Sequence, residues 1–193
     1  MTTGTAEVTQ EVSHVTVRPP RAGEWEVVAA WLGDERNARW LDFGAGVERL
    51  DALKLKLMAQ RGHHEVRVFC RAHEDDPVGL VGLGNINRRF GTAEAWCLLG
   101  RKEYGSQDLT VQATAWLLAY AFHELGLASV YAWTVECNRG GRRLLERTGF
   151  RCFGRQRRCH VIDGRVYDRI WFDLLAEEFQ GYRMEWRHSR QKP

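Results

Sequence analysis

No stretch of this sequence approaches the roughly 18 consecutive apolar residues that a membrane-spanning helix requires. The first residues, MTTGTAEVTQEVS, also lack the basic start and the apolar core of a signal peptide. We therefore expect a soluble, cytoplasmic protein with no membrane contact. The polar residues 1–13 are expected to form a flexible leader, and the charged residues 180–193 a C-terminal tail.

Paired cysteines are missing as well. The sequence has five cysteines, an odd number, with no CxxC pair and no Cys and His spacing typical of a zinc site. This pattern predicts reduced thiols, as in cytoplasmic proteins, and no bound metal.

A large excess of one charge is also absent. The net charge of +3 is too small to indicate a dedicated nucleic-acid-binding protein, which usually carries a concentrated basic face. The densest basic stretch, RCFGRQRR at Arg151–Arg158, has two interpretations. It is either a solvated hairpin edge or a surface for phosphate or an acidic partner.

The sequence does contain enough hydrophobic residues to form a packed interior. Hydrophobic residues make up 44% of the chain, including eight tryptophans and eight phenylalanines. The length fits one domain, which we place at residues 14–179.

Hydrophobic periodicity predicts an ordered series of strands and helices. Turn residues separate the segments, and Asp163-Gly164 is a strong hairpin signal. The predicted strands are His14–Arg18, Glu65–Arg71, Val78–Asn87, Ala93–Leu99, Ser129–Val135, Arg151–Val161 and Arg165–Leu174; the predicted helices are Glu24–Arg39, Val47–Arg61, Leu109–Leu125 and Gly140–Arg147.

This order predicts a mixed α/β, or layered α+β, fold. One strand-helix-strand unit lies within an otherwise antiparallel meander, and its right-handed crossover would pack the long helix on one face of the sheet.

Four stretches resemble the GNAT superfamily of N-acyltransferases. They are PVGLVGLGNI, VQATAWLLAYAFHELGLASVYAWT, ECNRGGRRLLERTGF and its continuation RCFG, and DGRVYDRIWFDLLAEEF. The resemblance is greatest to the branch of ribosomal-protein N-terminal acetyltransferases and small-amine or antibiotic acetyltransferases. It implies a mostly antiparallel seven-stranded sheet with about four helices.

The resemblance also implies an activity. An acyl group, most simply acetyl from acetyl-CoA, would pass directly to a primary amine of a small molecule or a peptide N-terminus. No nucleic acid is expected as a partner unless tRNA carries the acyl group, and a homodimer is one possible assembly.

Cofactor contacts follow from the same resemblance. The pantetheine arm would lie along one strand and the pyrophosphate at the loop and helix start that follow it, because helix N-termini bind anions. The residues implied are Trp96, Cys97, Leu98, Leu99 and Asn138 for the arm, and Lys102, Gly105, Ser106, Gln107, Asp108, Leu109 and Thr110 for the pyrophosphate.

The pyrophosphate loop departs from the family pattern, since Asp108 stands at the place of an essential glycine. Three interpretations are open. In the first, the Asp108 carboxylate caps the following helix by accepting hydrogen bonds from its amides. In the second, the loop is shifted, so that Gly105, Ser106 and Lys102 contact the phosphates. In the third, the protein uses another acyl donor, such as an aminoacyl-tRNA or a carrier-bound group, or has lost catalysis and serves as a binding module.

Glu94 is the candidate general base, because related enzymes often carry a glutamate on this strand; an exposed strand glutamate is the alternative. Leu145 stands where many members have a tyrosine acid, and Gly141 where serine or alanine is usual. Water, Cys97, Tyr131 or His160 is then left to protonate the leaving thiolate, although Cys97 is more typical of a core position.

Position along the chain suggests where the acceptor amine would bind. Asp42 is a candidate partner for an ammonium group, with neighbouring aromatic side chains covering it. The full set of candidate acceptor residues is Trp40, Asp42, Phe43, Asn85 and Asn87.

Overall fold

The computed structural model describes residues 14–42, 51–105 and 108–180. Phe43, Ser106 and Gln107, which the sequence places at the site, lie outside the described residues, as do the expected leader and most of the tail. None of the described helices is long and apolar enough to cross a membrane.

Seven strands form one sheet in the order β1-β2-β3-β4-β5-β7-β6. Every neighbouring pair is antiparallel except β4 and β5, which are parallel, so the predicted mostly antiparallel seven-stranded sheet is confirmed. The strands are β1 (Val15–Arg18), β2 (Glu65–Arg71), β3 (Pro77–Asn87), β4 (Thr92–Leu99), β5 (Ser129–Val135), β6 (Arg151–Ile162) and β7 (Arg165–Leu175).

The described residues contain five α-helices where about four were expected. They are α1 (Trp25–Gly33), α2 (Glu35–Ala38), α3 (Ala52–Gln60), α4 (Leu109–Ala119) and α5 (Arg139–Arg147).

The extra helix arises because the predicted Glu24–Arg39 helix is broken. Asp34 has extended dihedral angles (φ −69°, ψ 122°), and its carboxylate accepts from the Arg36 amide, so that α2 starts with its own N-cap. The chain therefore turns between α1 and α2.

The helices cover both faces of the sheet. Leu117 of α4 and Leu145 of α5 belong to one buried cluster with Ala93 and Ala95 of β4. Leu32 and Leu55, of α1 and α3, lie in a second cluster with Leu98 of β4. Because successive strand residues point to opposite faces, β4 supplies side chains to both clusters. A fully buried side chain such as Leu55 contributes about 1.5–3 kcal/mol.

The helix predicted at Leu109–Leu125 changes geometry before it ends. After Ala119 the hydrogen bonding widens to a π-turn over Tyr120–Glu124, where the Leu125 amide donates to the Tyr120 carbonyl over 3.1 Å. Gly126 then adopts a left-handed conformation (φ +63°), as expected of a residue that follows a helix C-terminus.

The β4 and β5 strands separate along their length. They pair only at Thr92↔Ser129, Ala93↔Val130 and Glu94↔Tyr131. Beyond these pairs β4 continues against β3, and β5 continues against β7. The sheet therefore contains a V-shaped split that begins after Glu94.

The close fit of Trp96 against β3 depends on a glycine. Gly82 lies opposite Trp96, and a Cβ atom at Gly82 would overlap the Trp96 ring and lie 2.5 Å from the Glu65 carbonyl oxygen. Only glycine leaves the ring space to lie across the neighbouring strand.

We predict that Gly82→Ala lowers the free energy of unfolding by about 1–3 kcal/mol, because the added methyl group overpacks a buried contact. Urea denaturation followed by tryptophan fluorescence measures the change. Gly154→Ala in β6 is the matched control, since a Cβ atom there meets nothing within 4 Å. Equal stability of the two variants would contradict the overpacking argument.

Candidate functional site

A cavity of about 570 Å³ lies at the split between β4 and β5. Residues from both faces of the sheet line it, so the cavity passes through the split from the α1–α3 side to the α4–α5 side. Its lining comprises Trp40, Leu41, Asp42, Met58, His64, Gly84, Asn85, Glu94, Ala95, Trp96, Cys97, Thr114, Ala132, Trp133, Thr134, Asn138, Gly141, Leu144, Leu145, Arg169 and Trp171.

Glu94 lies where the two strands begin to diverge, and its carboxylate is held at both oxygens. Asn85 Nδ2 donates to Oε2 over 2.9 Å, and the indole Nε1 of Trp133 donates to Oε1 over 2.7 Å. Asn85 has a left-handed backbone (φ 50°) at a register shift in the β3–β4 ladder. The two donors fix the orientation of a carboxylate at the edge of the cavity, as a general base requires.

Trp133 is itself covered by a cation. The Arg169 guanidinium carbon lies 3.9 Å from the centroid of the Trp133 ring, within the range of a cation–π interaction. Arg169 Nη1 also pairs with Asp42 Oδ2 over 2.9 Å, and the Arg169 side chain is only 12% exposed. The Asp42 carboxylate, expected to receive an ammonium group, already has a cationic partner.

His160 completes this arrangement. Arg169 Nε donates to His160 Nδ1 over 3.2 Å, and His160 Nε2 lies 2.7 Å from the Arg39 carbonyl oxygen. Because Nδ1 accepts from a cation, the hydrogen is on Nε2, which donates to the carbonyl. With both ring nitrogens engaged, His160 is not placed to protonate a leaving thiolate.

His64 borders the cavity as a neutral side chain. Its Nδ1 is buried and has no hydrogen-bond partner among the described residues. The pKa of His64 is lowered below its ordinary value of 6.5, mainly by burial and to a smaller extent by the charge of the neighbouring His63. His64 therefore brings a polar atom but no charge at neutral pH.

Two buried hydroxyl groups lie at the split. Thr114 on α4 and Thr134 on β5 are 3% and 4% exposed. Thr134 Oγ1 has no hydrogen-bond partner within the described part of the chain, and the Thr114 hydroxyl has only the weakly hydrogen-bonding thiol of Cys97 beside it. Buried polar groups are rarely left unpaired. These hydroxyls are consistent with a ligand that supplies their partners.

Asn138 caps α5 at the same end of the cavity. Its Oδ1 accepts from the Gly141 amide over 2.9 Å. A Cβ atom at Gly141 would lie 2.6 Å from Thr134 Oγ1 and 2.9 Å from Asn138 Nδ2. Glycine in place of the usual serine or alanine therefore keeps the Asn138 carboxamide in position.

Cys97 borders the cavity, but its thiol is not a nucleophile. Burial raises the pKa of the Cys97 thiol to about 12. The thiolate is the reactive form, so Cys97 is essentially all thiol at neutral pH. This argues against an acyl-enzyme at Cys97 and agrees with its prediction as a packed residue.

The interpretation of Asp108 as a side-chain cap is wrong. Asp108 occupies the N-cap position of α4, but its backbone is left-handed (φ 53°) and its carboxylate accepts from no helix amide. The carboxylate instead pairs with Arg147 of α5, at 2.5 and 2.8 Å. This contact lowers the pKa of Asp108 below its ordinary value. A left-handed backbone points the carboxylate away from the helix, toward a cation that follows 39 residues later.

Most of the other described residues expected to bind the cofactor do not line the cavity. Lys102 Nζ donates to Asn37 Oδ1 and to the Leu99 carbonyl oxygen, each over 2.6 Å, so its charge is directed to the protein. Among the described candidates, the ones outside the cavity lining are Leu98, Leu99, Lys102, Gly105, Asp108, Leu109 and Thr110.

Some of the acceptor and proton-donor candidates line the cavity, and others do not. Trp40, Asp42 and Asn85 line the cavity, whereas Asn87 does not; its Oδ1 accepts from the Phe90 amide in the β3–β4 turn. Tyr131 is likewise absent from the lining, and burial raises the pKa of its phenol. The described residues thus offer no evident acid for the thiolate.

Several lining residues were missed from the sequence, chiefly Thr114, Trp133, Arg169 and Trp171. Trp133 and Trp171 are direct partners in the β5–β7 ladder, and Arg169 lies two residues before Trp171 on the same face. The alternation of side chains along β7 places Arg169 and Trp171 on one face. That face could be assigned to the site only once β7 was known to pair with β5.

Comparison with known proteins gives a consistent match. The family described as acetyltransferase (GNAT) domain matches residues 14–151, which is more than half of the chain. One relative is the putative ribosomal N-acetyltransferase YdaF of Bacillus subtilis (strain 168). It is 24% identical over 174 residues, which cover 87% of this chain and 94% of the relative.

Solved structures share the fold. The crystal structure of spermidine N-acetyltransferase from Vibrio cholerae in complex with CoA and spermine has a TM-score of 0.76 at 19% identity, covering 87% of this chain and 99% of that one. A probable acetyltransferase has a TM-score of 0.72 at 22% identity, covering 86% and 96% of the two chains. At such identities the likeness shows the fold alone.

We predict that iodoacetamide at pH 8 modifies the exposed Cys137 and Cys152 and leaves Cys97 unmodified, because a thiol with a pKa of about 12 carries almost no thiolate at that pH. Mass spectrometry of peptides after timed quenching measures the order in which the cysteines are modified. Labelling in urea is the control, since unfolding should make Cys97 as reactive as the others. Rapid native labelling of Cys97 would contradict the raised pKa of its thiol.

Proposed function

Because the chain belongs to the GNAT acetyltransferase family, we propose that it transfers an acetyl group from acetyl-CoA directly to a primary amine, on a small molecule or a peptide N-terminus. The observation that carries this proposal is the Glu94 carboxylate, fixed by two donors at the opening of a cavity that passes through the split sheet. The relative and the structural neighbour, a putative ribosomal and a spermidine N-acetyltransferase, fit amine acceptors of both kinds.

The split supplies a fitting place for the acyl donor. When bound, acetyl-CoA provides the thioester that the amine attacks. Past Glu94, the facing edges of β4 and β5 do not pair with each other, so their backbone groups can bond to an extended arm. The buried hydroxyls of Thr114 and Thr134 add polar groups on the α4–α5 side.

Glu94 has the role of general base in this proposal. An amine must lose a proton to become a nucleophile, and a positioned carboxylate accepts that proton directly or through one water. Trp133 and Asn85 hold the carboxylate while it does so. Leu145 has no proton to give, both ring nitrogens of His160 are engaged, and Tyr131 does not line the cavity. In this proposal water therefore protonates the departing thiolate.

The Asp108–Arg147 pair bears on donor affinity. A lone carboxylate near the pyrophosphate would repel it, whereas the paired carboxylate presents little net charge. Both side chains are about half exposed, at 53% for Arg147 and 55% for Asp108, so the pair is not locked by burial. Arg147 is therefore able to turn toward the phosphates of a bound donor.

The tRNA-donor alternative receives less support. In the Arg151–Arg158 stretch, Arg151 pairs with Glu178, and Arg155 pairs with Glu136 and Asp168. These pairs neutralise part of the charge that a phosphate backbone would need. The stretch fits better the interpretation as a solvated hairpin edge.

We predict that Glu94→Gln lowers kcat about 100-fold or more, because glutamine cannot accept the proton of the amine. Steady-state assays of CoA release measure the rate, and calorimetry with acetyl-CoA should show unchanged donor affinity. Glu26→Gln, an exposed glutamate on α1, is the matched control and should retain full rate. A Glu94→Gln enzyme with full kcat would remove Glu94 as the base.

We predict that Asp108→Gly binds acetyl-CoA about tenfold more tightly, because the carboxylate is removed, Arg147 is released and glycine accepts the left-handed backbone. Calorimetry with acetyl-CoA measures the change. Arg147→Gln is the paired variant, and it should weaken binding by leaving Asp108 unpaired. Unchanged affinity in both variants would place the pyrophosphate away from the start of α4.

A further inference from the structure

We propose that the acceptor end of the cavity selects a primary amine carried on a flat, apolar body over a polyamine, with Arg169 as the specificity-determining residue. This inference rests on the proposed function, because it assumes that an amine is the acceptor. The acceptor end is here the part of the cavity on the α1–α3 side, formed by Trp40, Asp42, Met58, Glu94, Trp133, Arg169 and Trp171.

Charge is the first argument. Among the described residues lining the cavity, the formally charged side chains are Asp42, Glu94 and Arg169. Arg169 pairs with Asp42, so that carboxylate is already neutralised. Of the described lining residues, one carboxylate, Glu94, is left for an ammonium group, which suits an acceptor with a single positive charge.

Arg169 cannot readily leave to make room for a second ammonium group. It is held by Asp42, by the ring of Trp133 and by His160 Nδ1, and its side chain is 12% exposed. A second ammonium group in this end would lie near a fixed like charge inside a cavity, where the effective dielectric constant is lower than in bulk water and the repulsion is stronger. His64 is neutral and does not compensate.

The shape of the walls is the second argument. Trp133 and Trp171 lie with ring centroids 6.5 Å apart and planes inclined at 51°, and Trp40 and Met58 contribute further apolar surface. Such walls gain most from burying a flat hydrocarbon or aromatic group, through apolar area and ring packing. An amine attached to an aryl group meets both features: one charge for Glu94 and a flat body for the tryptophans.

The fold likeness to a spermidine N-acetyltransferase does not argue against this selection. At 19% identity, that structure shares the arrangement of strands and helices and no more. The acceptor end is built from side chains, and these decide which amine fits.

The test compares acceptors in one enzyme at saturating acetyl-CoA. We expect kcat/KM for 2-phenylethylamine to exceed that for spermidine at least tenfold, with n-pentylamine between them because it has the single charge but not the flat ring. A peptide amide with an N-terminal alanine should be poorer than 2-phenylethylamine.

Substitution of Arg169 gives the decisive comparison. Arg169→Met releases Asp42, and the ratio of kcat/KM for spermidine to that for 2-phenylethylamine should rise about tenfold. Because the ratio is taken within one variant, a general loss of rate cancels. Arg169→Lys should keep the wild-type order, and Arg165→Met, on the exposed part of the same strand, is the matched control.

Asp42→Asn keeps the proposal testable if Arg169→Met does not fold. It leaves the Arg169 charge without a carboxylate partner, so the same ratio should fall below the wild-type value. A wild-type enzyme that acetylates spermidine or the peptide as well as 2-phenylethylamine would overturn the selection while leaving the acetyltransferase intact. An enzyme that binds acetyl-CoA yet acetylates no amine would sink the proposed function and the selection together.

Discussion

The site depends on the place where one pair of strands stops pairing. β4 and β5 are the parallel pair in the sheet, and their ladder ends after Glu94↔Tyr131. Each strand remains bonded to its antiparallel neighbour, so the sheet stays intact while a gap opens inside it. The gap leaves backbone groups without strand partners and lets one cavity reach both faces of the sheet. Without this divergence, the two faces of the sheet would be separated by a closed layer.

A second constraint is the linked contacts behind Glu94. Glu94 is bonded by Trp133, Trp133 is covered by Arg169, and Arg169 is held by Asp42 and His160. A buried charge is costly unless it is paired and hydrogen-bonded, and Arg169 meets both conditions. The same contacts that satisfy this charge also orient the Glu94 carboxylate and set the charge of the cavity on the α1–α3 side. The orientation of Glu94 and the charge of the cavity wall are therefore coupled through one side chain.

Local patterns were enough to predict most of the fold. The strands were placed within a residue or two, because alternation and the Asp163-Gly164 turn act over a few neighbours, and both turn residues have the left-handed backbone that such a turn requires. The helix predicted at Glu24–Arg39 was wrong in one respect. Its break at Asp34 depends on a capping bond to Arg36, which competes with helix continuation at a residue that periodicity alone does not flag.

The sequence predicted many residues of the candidate site but not the contacts between its charged groups, because these contacts join residues far apart along the chain. Trp40, Asp42, Asn85, Glu94, Trp96, Cys97 and Asn138 do line one cavity, although their roles stay predictions. What the sequence could not give is which charged groups meet. Asp108 is paired with Arg147, and Asp42 with Arg169, across 39 and 127 positions respectively.

The amino-acid sequence by itself determined the order of elements, the resemblance to a family and the position of the loop in which an aspartate replaces the family's glycine. Those features arise from interactions between near neighbours. Only the tertiary structure decided that this aspartate is paired rather than capping, that Arg169 neutralises Asp42 and that Trp133 holds Glu94. Pairing of charges and contact between rings depend on distances in space, and strand pairing and helix packing set those distances.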